Sequence, residues 1–302
     1  MFESLDALGR ALTAQHYIAE RGLTTAIYLA LKLNKPLFLE GEAGVGKTEI
    51  AKVLARLFDT ELIRLQCYEG LDVNTALYEW NYAAQMLHLR LLEATGADRS
   101  EMQADLFSRQ FLLARPLLRA VESGTSAKPP VLLIDEIDRA DEEFEAFLLE
   151  LLSDFQVTIP ELGTIRAVHP PIVIVTSNRT REVHDALKRR CLYYWIEYPD
   201  FQKELAIVRA KAPDVAPMLA KQITAFVQEM RRMELFKSPG IAETLDWTSA
   251  VIALDQQALS LQVVADTLGV ILKYQDDIKT FTPETLSAIY ERARLQSELE
   301  RG

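Results

Sequence analysis

Short aliphatic runs alternate with amphipathic stretches through the first two thirds of the chain. Pro36-Leu37-Phe38-Leu39-Glu40 reads as a buried strand, as do residues 131–134 and 172–175; residues 61–65 form a shorter, more mixed one. From Lys47 to Phe58, residues Ile50, Val53, Leu54 and Leu57 recur at helical spacing. Continuous aliphatic strands separated by helices predict a parallel sheet covered on both faces. Beyond Ile134, residues Phe144, Phe147, Leu148, Leu151 and Leu152 fall on one face of a further helix. Residues 156–159 and 164–168 flank Pro160-Glu161-Leu162-Gly163, a pattern that predicts a β-hairpin before the 172–175 strand. Residues 124–130 read as a loop into the 131–134 strand, and the aromatic-rich segment 68–83 shows no clean period.

The texture changes near Tyr198-Pro199-Asp200. Asp200 predicts a cap for a helix to about residue 211, and Asp214 with Pro217 predicts the start of a longer one reaching Phe236. Further helical patterns cover about 246–257, 261–274 and 283–299, the last opened by Thr282-Pro283-Glu284 with cap, N1 proline and early acid in place. The expected division is an αβ core over 1–198 and an all-helical domain over 199–302.

Composition narrows the class without naming a function. A chain of 302 residues suggests about two domains, and 49% hydrophobic with 25% charged residues is ordinary for a globular protein. Thirty-three Lys and Arg against 44 Asp and Glu leave a net charge of −11, which argues against a dedicated nucleic-acid binder. Cys67 and Cys191 cannot build a disulfide framework or a CxxC zinc pair and read as small buried residues. His16, His88, His169 and His184 are scattered without metal-like spacing, Trp80, Trp195 and Trp247 read as packing residues, and Arg231-Arg232 reads as a solvated helix face. The first residues, MFESLDALGR, lack the apolar stretch of a secretory signal, and no run approaches the roughly 18 apolar residues of a membrane helix. A reducing cytoplasm, with no integral membrane segment, is the expected setting.

The chemistry is concentrated at strand ends. Gly41-Glu42-Ala43-Gly44-Val45-Gly46-Lys47-Thr48 fits GxxxxGK[ST], which a chain of this size matches by chance about once in a hundred. Glycines let backbone N–H groups curl around phosphate oxygens, and the following helix presents its positive end. Lys47 is expected to reach the β- and γ-phosphates and Thr48 to ligate Mg²⁺. The aliphatic run 131–134 ends in Asp135-Glu136, where Asp135 is expected to hold the Mg²⁺ shell and Glu136 to polarise an attacking water. The bland alternative for this acidic pair is a solvated helix start. Asn178, after the 172–175 strand, reads either as a turn former or as a group bonding the water or the γ-phosphate. Lys188-Arg189-Arg190, before Cys191, reads either as a basic helix end or as an arginine supplied to a neighbouring nucleotide; local chemistry does not choose.

Together these features resemble the AAA+ ATPases, and within them the MoxR group. Ile134-Asp135-Glu136-Ile137-Asp138-Arg139-Ala140 is similar to that group's acidic strand-end motif, and the hairpin inserted at about 157–168 matches its layout. The resemblance spans residues 15–200 with specific motifs and the helical tail with weaker ones. It implies a Walker A loop at Gly41 to Thr48, a Walker B pair at Asp135 and Glu136, sensor 1 at Asn178 and the arginine finger at Arg190, with Arg189 in reserve. It also implies that residues 15–19, ahead of the first helix, pass near the adenine. Lys237-Ser238-Pro239-Gly240 and the following Ile241-Ala242-Glu243-Thr244-Leu245-Asp246-Trp247 look like the branch encoded beside von Willebrand factor A proteins. That branch implies a homo-hexameric, ATP-driven chaperone acting with such a partner on a client metalloenzyme such as carbon monoxide dehydrogenase. One departure stands out: the family's lid often places an arginine, sensor 2, near a Ser-Pro-Arg sequence, whereas Gly240 follows Ser238-Pro239 here and no arginine occurs until Arg292.

Three rivals remain. A nucleic-acid-dependent motor is disfavoured by the acidic balance and predicts salt-dependent stimulation by duplex DNA. A metabolite kinase lacks an acceptor-binding motif, and Glu136 with Asn178 suits water better. A nucleotide-gated scaffold differs by having little turnover.

Overall fold

The computed structural model describes residues 2–95, 106–125 and 128–299. The predicted loop at 124–130 therefore lies partly outside the described residues. Five strands form one sheet in the order β2-β5-β8-β1-β9: β1 (Leu37–Gly41), β2 (Leu62–Gln66), β5 (Val131–Asp135), β8 (Ile172–Ser177) and β9 (Leu192–Ile196). β1 runs parallel to β8, β8 to β5 and β5 to β2, with Leu133 opposite Ile174 and Leu65 opposite Ile134. β1 and β5 are buried along their whole length, as their aliphatic composition requires of strands covered on both faces. Helices α1 (Leu5–Ala14) and α2 (Arg21–Leu33) precede the sheet. Residues 15–19 thus follow the first helix rather than preceding it.

Helix α3 spans Lys47–Phe58, and Ile50, Val53 and Leu54 on it are fully buried. The segment without a clear period folds as α4 (Val73–Leu77), capped by Asp72, then β3 (Tyr78–Trp80) and α5 (Tyr82–Thr95). β3 pairs antiparallel with β4 (Leu112–Ala114), which leads into α6 (Pro116–Glu122). After a 3-10 turn at Ile137–Arg139, α7 (Glu142–Asp154) begins at Asp141, whose carboxylate accepts from Phe144 N at 2.8 Å. β6 (Gln156–Ile159) and β7 (Gly163–Arg166) form the expected hairpin. A short helix α8 (Asp185–Lys188) separates β8 from β9.

Two compact units divide these elements. The first comprises 1–8, 21–40 and 48–195; the second comprises 9–20, 41–47 and 196–302. The first unit's core joins Phe38, Leu132, Ile134, Leu148 and Val175. The second is built on α9 (Phe201–Lys211), α10 (Pro217–Arg231), α11 (Ile241–Ala253), α12 (Leu261–Ile271), α13 (Gln275–Thr280) and α14 (Pro283–Leu299). Its core centres on Phe226, Trp247, Val251 and Ile289. Asp200 caps α9 through Lys203 N at 2.8 Å, as expected. Ala216 rather than Asp214 opens α10, because Pro217 takes the N1 position, and that helix stops at Arg231 instead of Phe236. Arg231 is also not on a solvated face. Its guanidinium forms a two-pronged ion pair with the buried Glu204 (2.6 and 2.7 Å), while its Nε donates to Pro239 O at 2.7 Å. Among the described residues no helix is long and apolar enough to cross a membrane.

Candidate functional site

Chain direction gathers the candidate groups, because parallel strands bring their carboxyl ends to one edge of the sheet, where open α/β folds bind ligands. Asp135 ends β5 and is buried. Its Oδ1 accepts from Thr48 Oγ1 at 3.0 Å and from Thr176 Oγ1 at 2.6 Å. Its Oδ2 accepts from Arg64 Nε at 3.0 Å and Nη2 at 2.6 Å. Thr48 sits in the first turn of α3 and Thr176 near the end of β8, so one carboxylate ties three elements and an arginine of β2 together.

Glu136 leaves the strand in a left-handed conformation, φ 56° and ψ 51°. A non-glycine residue pays for that backbone only where its surroundings hold it, and here they do. Its N–H donates to Thr176 Oγ1 at 3.0 Å. Its Oε1 accepts from Asn178 Nδ2 at 3.2 Å and its Oε2 from Gln66 Nε2 at 3.0 Å, and Oε2 is ion-paired with Arg139 Nε at 3.1 Å. Asn178 is fixed in turn by Asp138, which accepts from Asn178 N at 3.1 Å, Thr180 N at 2.9 Å and Thr180 Oγ1 at 2.6 Å. Burial acts to raise the Asp138 pKa, but the Thr180 hydroxyl and the Thr180 and Asn178 amides outweigh it and hold the carboxyl below its usual value. Burial, reinforced by the Asp135, Asp138, Glu136 and Glu145 carboxylates, pushes the nearby Cys67 thiol up to about 12.

The loop that connects β1 to α3 belongs to the second unit. Gly44 and Gly46 adopt φ of 79° and 94°, a region that side chains strain to occupy. Lys47 is buried, its ammonium donating to Gly41 O at 2.7 Å and Glu42 O at 2.6 Å. The start of α11 rests on this loop, with Ala242 N donating to Gly44 O at 3.2 Å. A Cβ on Gly240 would come within 2.8 Å of Ala43 O and 2.9 Å of Gly44, so the close approach requires glycine there. In Ser238-Pro239-Gly240 the third residue is the one that comes against this loop.

Thr48, Asp135, Glu136 and Asn178 therefore form one hydrogen-bonded set. Gly41, Glu42, Ala43, Gly44, Val45, Gly46 and Lys47 form the loop that leads into Thr48. Arg190 is exposed and donates Nε to Ser153 Oγ at 2.8 Å, and Arg189 pairs with Asp185 four residues earlier. Sequence reasoning missed Arg64, Gln66, Thr176 and the clamping role of Asp138. The available signal in Leu62-Ile63-Arg64-Leu65-Gln66 was alternation, which puts Arg64 and Gln66 on one face. Their partners follow from the strand order, which the sequence does not print.

A parallel sheet with a glycine-rich loop after β1, a hydroxyl at the next helix start and an acid pair ending β5 defines a P-loop ATPase core. The chain belongs to the AAA domain family (dynein-related subfamily), whose pattern matches residues 36–191. An uncharacterized protein of Staphylococcus aureus (strain bovine RF122 / ET3-1) is 26% identical over 208 residues, 67% of this chain and 70% of that one. The gas vesicle ATPase GvpN1 of Halobacterium salinarum is 24% identical over 269 residues, 86% of this chain and 75% of its own. Among solved structures, a RuvB mutant of Thermotoga maritima covers 98% of this chain and 90% of its own at 18% identity, with a TM-score of 0.49.

Proposed function

We propose that this ATPase drives a protein-remodelling cycle, with hydrolysis carried by the strand-end set. The observation that supports this most is the hydrogen-bonded group Thr48, Asp135, Glu136 and Asn178, following a GxxxxGK[ST] loop. Residues 41–47 wrap the phosphates of ATP with backbone N–H groups, and Lys47 neutralises the β- and γ-phosphates. The paired hard oxygens of Thr48 and Asp135, 3.0 Å apart, suit Mg²⁺, which when bound offsets charge on the phosphates. Glu136 orients and polarises the water for in-line attack. Asn178 steadies the Glu136 carboxylate and reads the γ-phosphate. Arg190 of a neighbouring subunit stabilises charge on the transferred phosphoryl group.

In this reading residues 1–198 are the catalytic core and 199–302 a lid, and copies assemble as a homo-hexameric ring in the cytoplasm. The resemblance to the MoxR branch beside von Willebrand factor A proteins supports the client side. It points to a chaperone of the carbon monoxide dehydrogenase maturation type, which works with such a partner on a metalloenzyme. Similarity to GvpN1 over 86% of the chain supports an ATPase of the same general build. The test is affinity capture of partners from the source cell by tagged Glu136→Gln protein loaded with ATP. A von Willebrand factor A protein and a metalloenzyme retained with ATP, and lost with ADP, support the proposal. An ATP-loaded ring that captures neither contradicts the chaperone reading and leaves the ATPase intact.

A further inference from the structure

One buried carboxylate beside the phosphate loop has no role in the scheme above. Glu40 is the fourth residue of β1 and directly precedes Gly41. Burying an ionised carboxylate is costly unless it is paired and hydrogen-bonded, so an acid at the end of a wholly buried strand calls for a positional reason. Its contacts supply one. Oε2 accepts from Tyr193 Oη at 2.8 Å; Oε1 lies 3.7 Å from Lys188 Nζ and 3.5 Å from Ser177 Oγ.

The three partners sit on three elements, and two of them adjoin candidate catalytic residues. Ser177 immediately precedes Asn178, and its Oγ accepts from Arg179 N at 3.0 Å, so it anchors the turn on which Asn178 rides. Lys188 ends α8 two residues before Arg190 and also lies over the Phe38 ring at 5.8 Å. Tyr193 is the second residue of β9 and stacks on the same ring, with centroids 6.1 Å apart. Burial and the Glu40 carboxylate push the Tyr193 hydroxyl up to about 12, so it remains a hydrogen-bond donor at neutral pH.

We propose that Glu40 is a positioning residue. It holds the Asn178 strand end and the Arg190-bearing segment to the strand from which the phosphate loop springs. The inference rests on the roles given above to Asn178 and Arg190. Because a 1 Å misplacement far from the chemistry can cost on the order of a hundredfold in rate, a hub that sets the positions of two such groups should be visible in kcat.

The experiment compares Glu40→Gln, Lys188→Met, their double variant and Arg190→Ala in the full chain. ATP affinity and steady-state turnover are measured for each. The expected result is ATP affinity near wild type with kcat lowered about tenfold in Glu40→Gln and in Lys188→Met. The double variant should be no slower than Glu40→Gln alone, since both substitutions break one linkage. Affinity falling in step with kcat, additive losses in the double variant, or full turnover in Lys188→Met would each overturn the inference. Lys188 is partly exposed, so its variant carries the test should Glu40→Gln not fold. Arg190→Ala separates the two levels. Full turnover there removes the finger role itself; loss there with full turnover in Lys188→Met removes only the positioning role.

Discussion

Asp138 shows at a single residue how the site is held. Its carboxylate fixes the backbone at Asn178 and Thr180, from which the Asn178 side chain extends toward Glu136. Its pKa is depressed in the folded protein, so the stability it contributes is present above the unfolded value of 3.8 and is lost as the pH falls below it. Asp138→Asn should therefore lower stability at pH 7 by about 1–3 kcal/mol. The gap to wild type in urea titrations should close as the pH drops below 3.8; a gap independent of pH would show that charge at Asp138 is not what holds the loop. The cysteines give a second residue-level expectation. Burial is the leading cause that pushes Cys67 and Cys191 up to about 12, so at pH 8 almost none of either is thiolate. A thiol reagent at pH 8 should leave the buried Cys67 unmodified in the native protein, whereas Cys191, which is only half-buried rather than buried as its sequence suggests, reacts first; both label after denaturation. Rapid labelling of Cys67 in the native form would contradict its burial.

At the scale of elements, the readable parts were those whose burial is uniform. The strands at 131–134 and 172–175 are solid aliphatic runs because both their faces are covered, and α3 spans Lys47–Phe58 as its spacing predicts. β9 escaped notice because it lies at the sheet's edge. Leu192-Tyr193-Tyr194-Trp195-Ile196 is buried only at its last residue, so neither a continuous nor an alternating pattern appears. α5 escaped for a related reason: Tyr82, Met86, Leu87 and Leu91 are exposed, which blurs the helical period. Arg231 was misread because charge suggests solvent, whereas Glu204, 27 positions earlier in the chain, makes the burial tolerable. That pair packs α9 against α10 and steadies Pro239 ahead of α11. Arg231→Met, which strands a buried carboxylate, should cost about 3–5 kcal/mol in chemical denaturation. Pairing it with Glu204→Leu should recover much of the loss, and a single variant as stable as wild type would show the pair to be idle.

For the whole molecule, the acid pair, the loop motif and Asn178 stand out in the sequence because each lies at or just after the end of a core strand. Arg64, Gln66 and Thr176, which bond to the acid pair, do not, since that contact depends on strand order. The arginine finger is a proposal about assembly and needs an assembly test. Mixing Arg190→Ala subunits with Lys47→Ala subunits, each inactive alone, should restore part of the turnover, because some interfaces then combine an intact loop with an intact arginine. Mixed rings that form but stay inactive would contradict a finger supplied in trans.

Glu136 is proposed to activate water for ATP hydrolysis at this strand end. That role is tested most directly by following ATP binding and phosphate release in Glu136→Gln beside wild type. The variant should bind Mg·ATP as wild type does and release phosphate on the order of 10²–10⁴ times more slowly. Wild-type phosphate release from a correctly folded Glu136→Gln protein would contradict it.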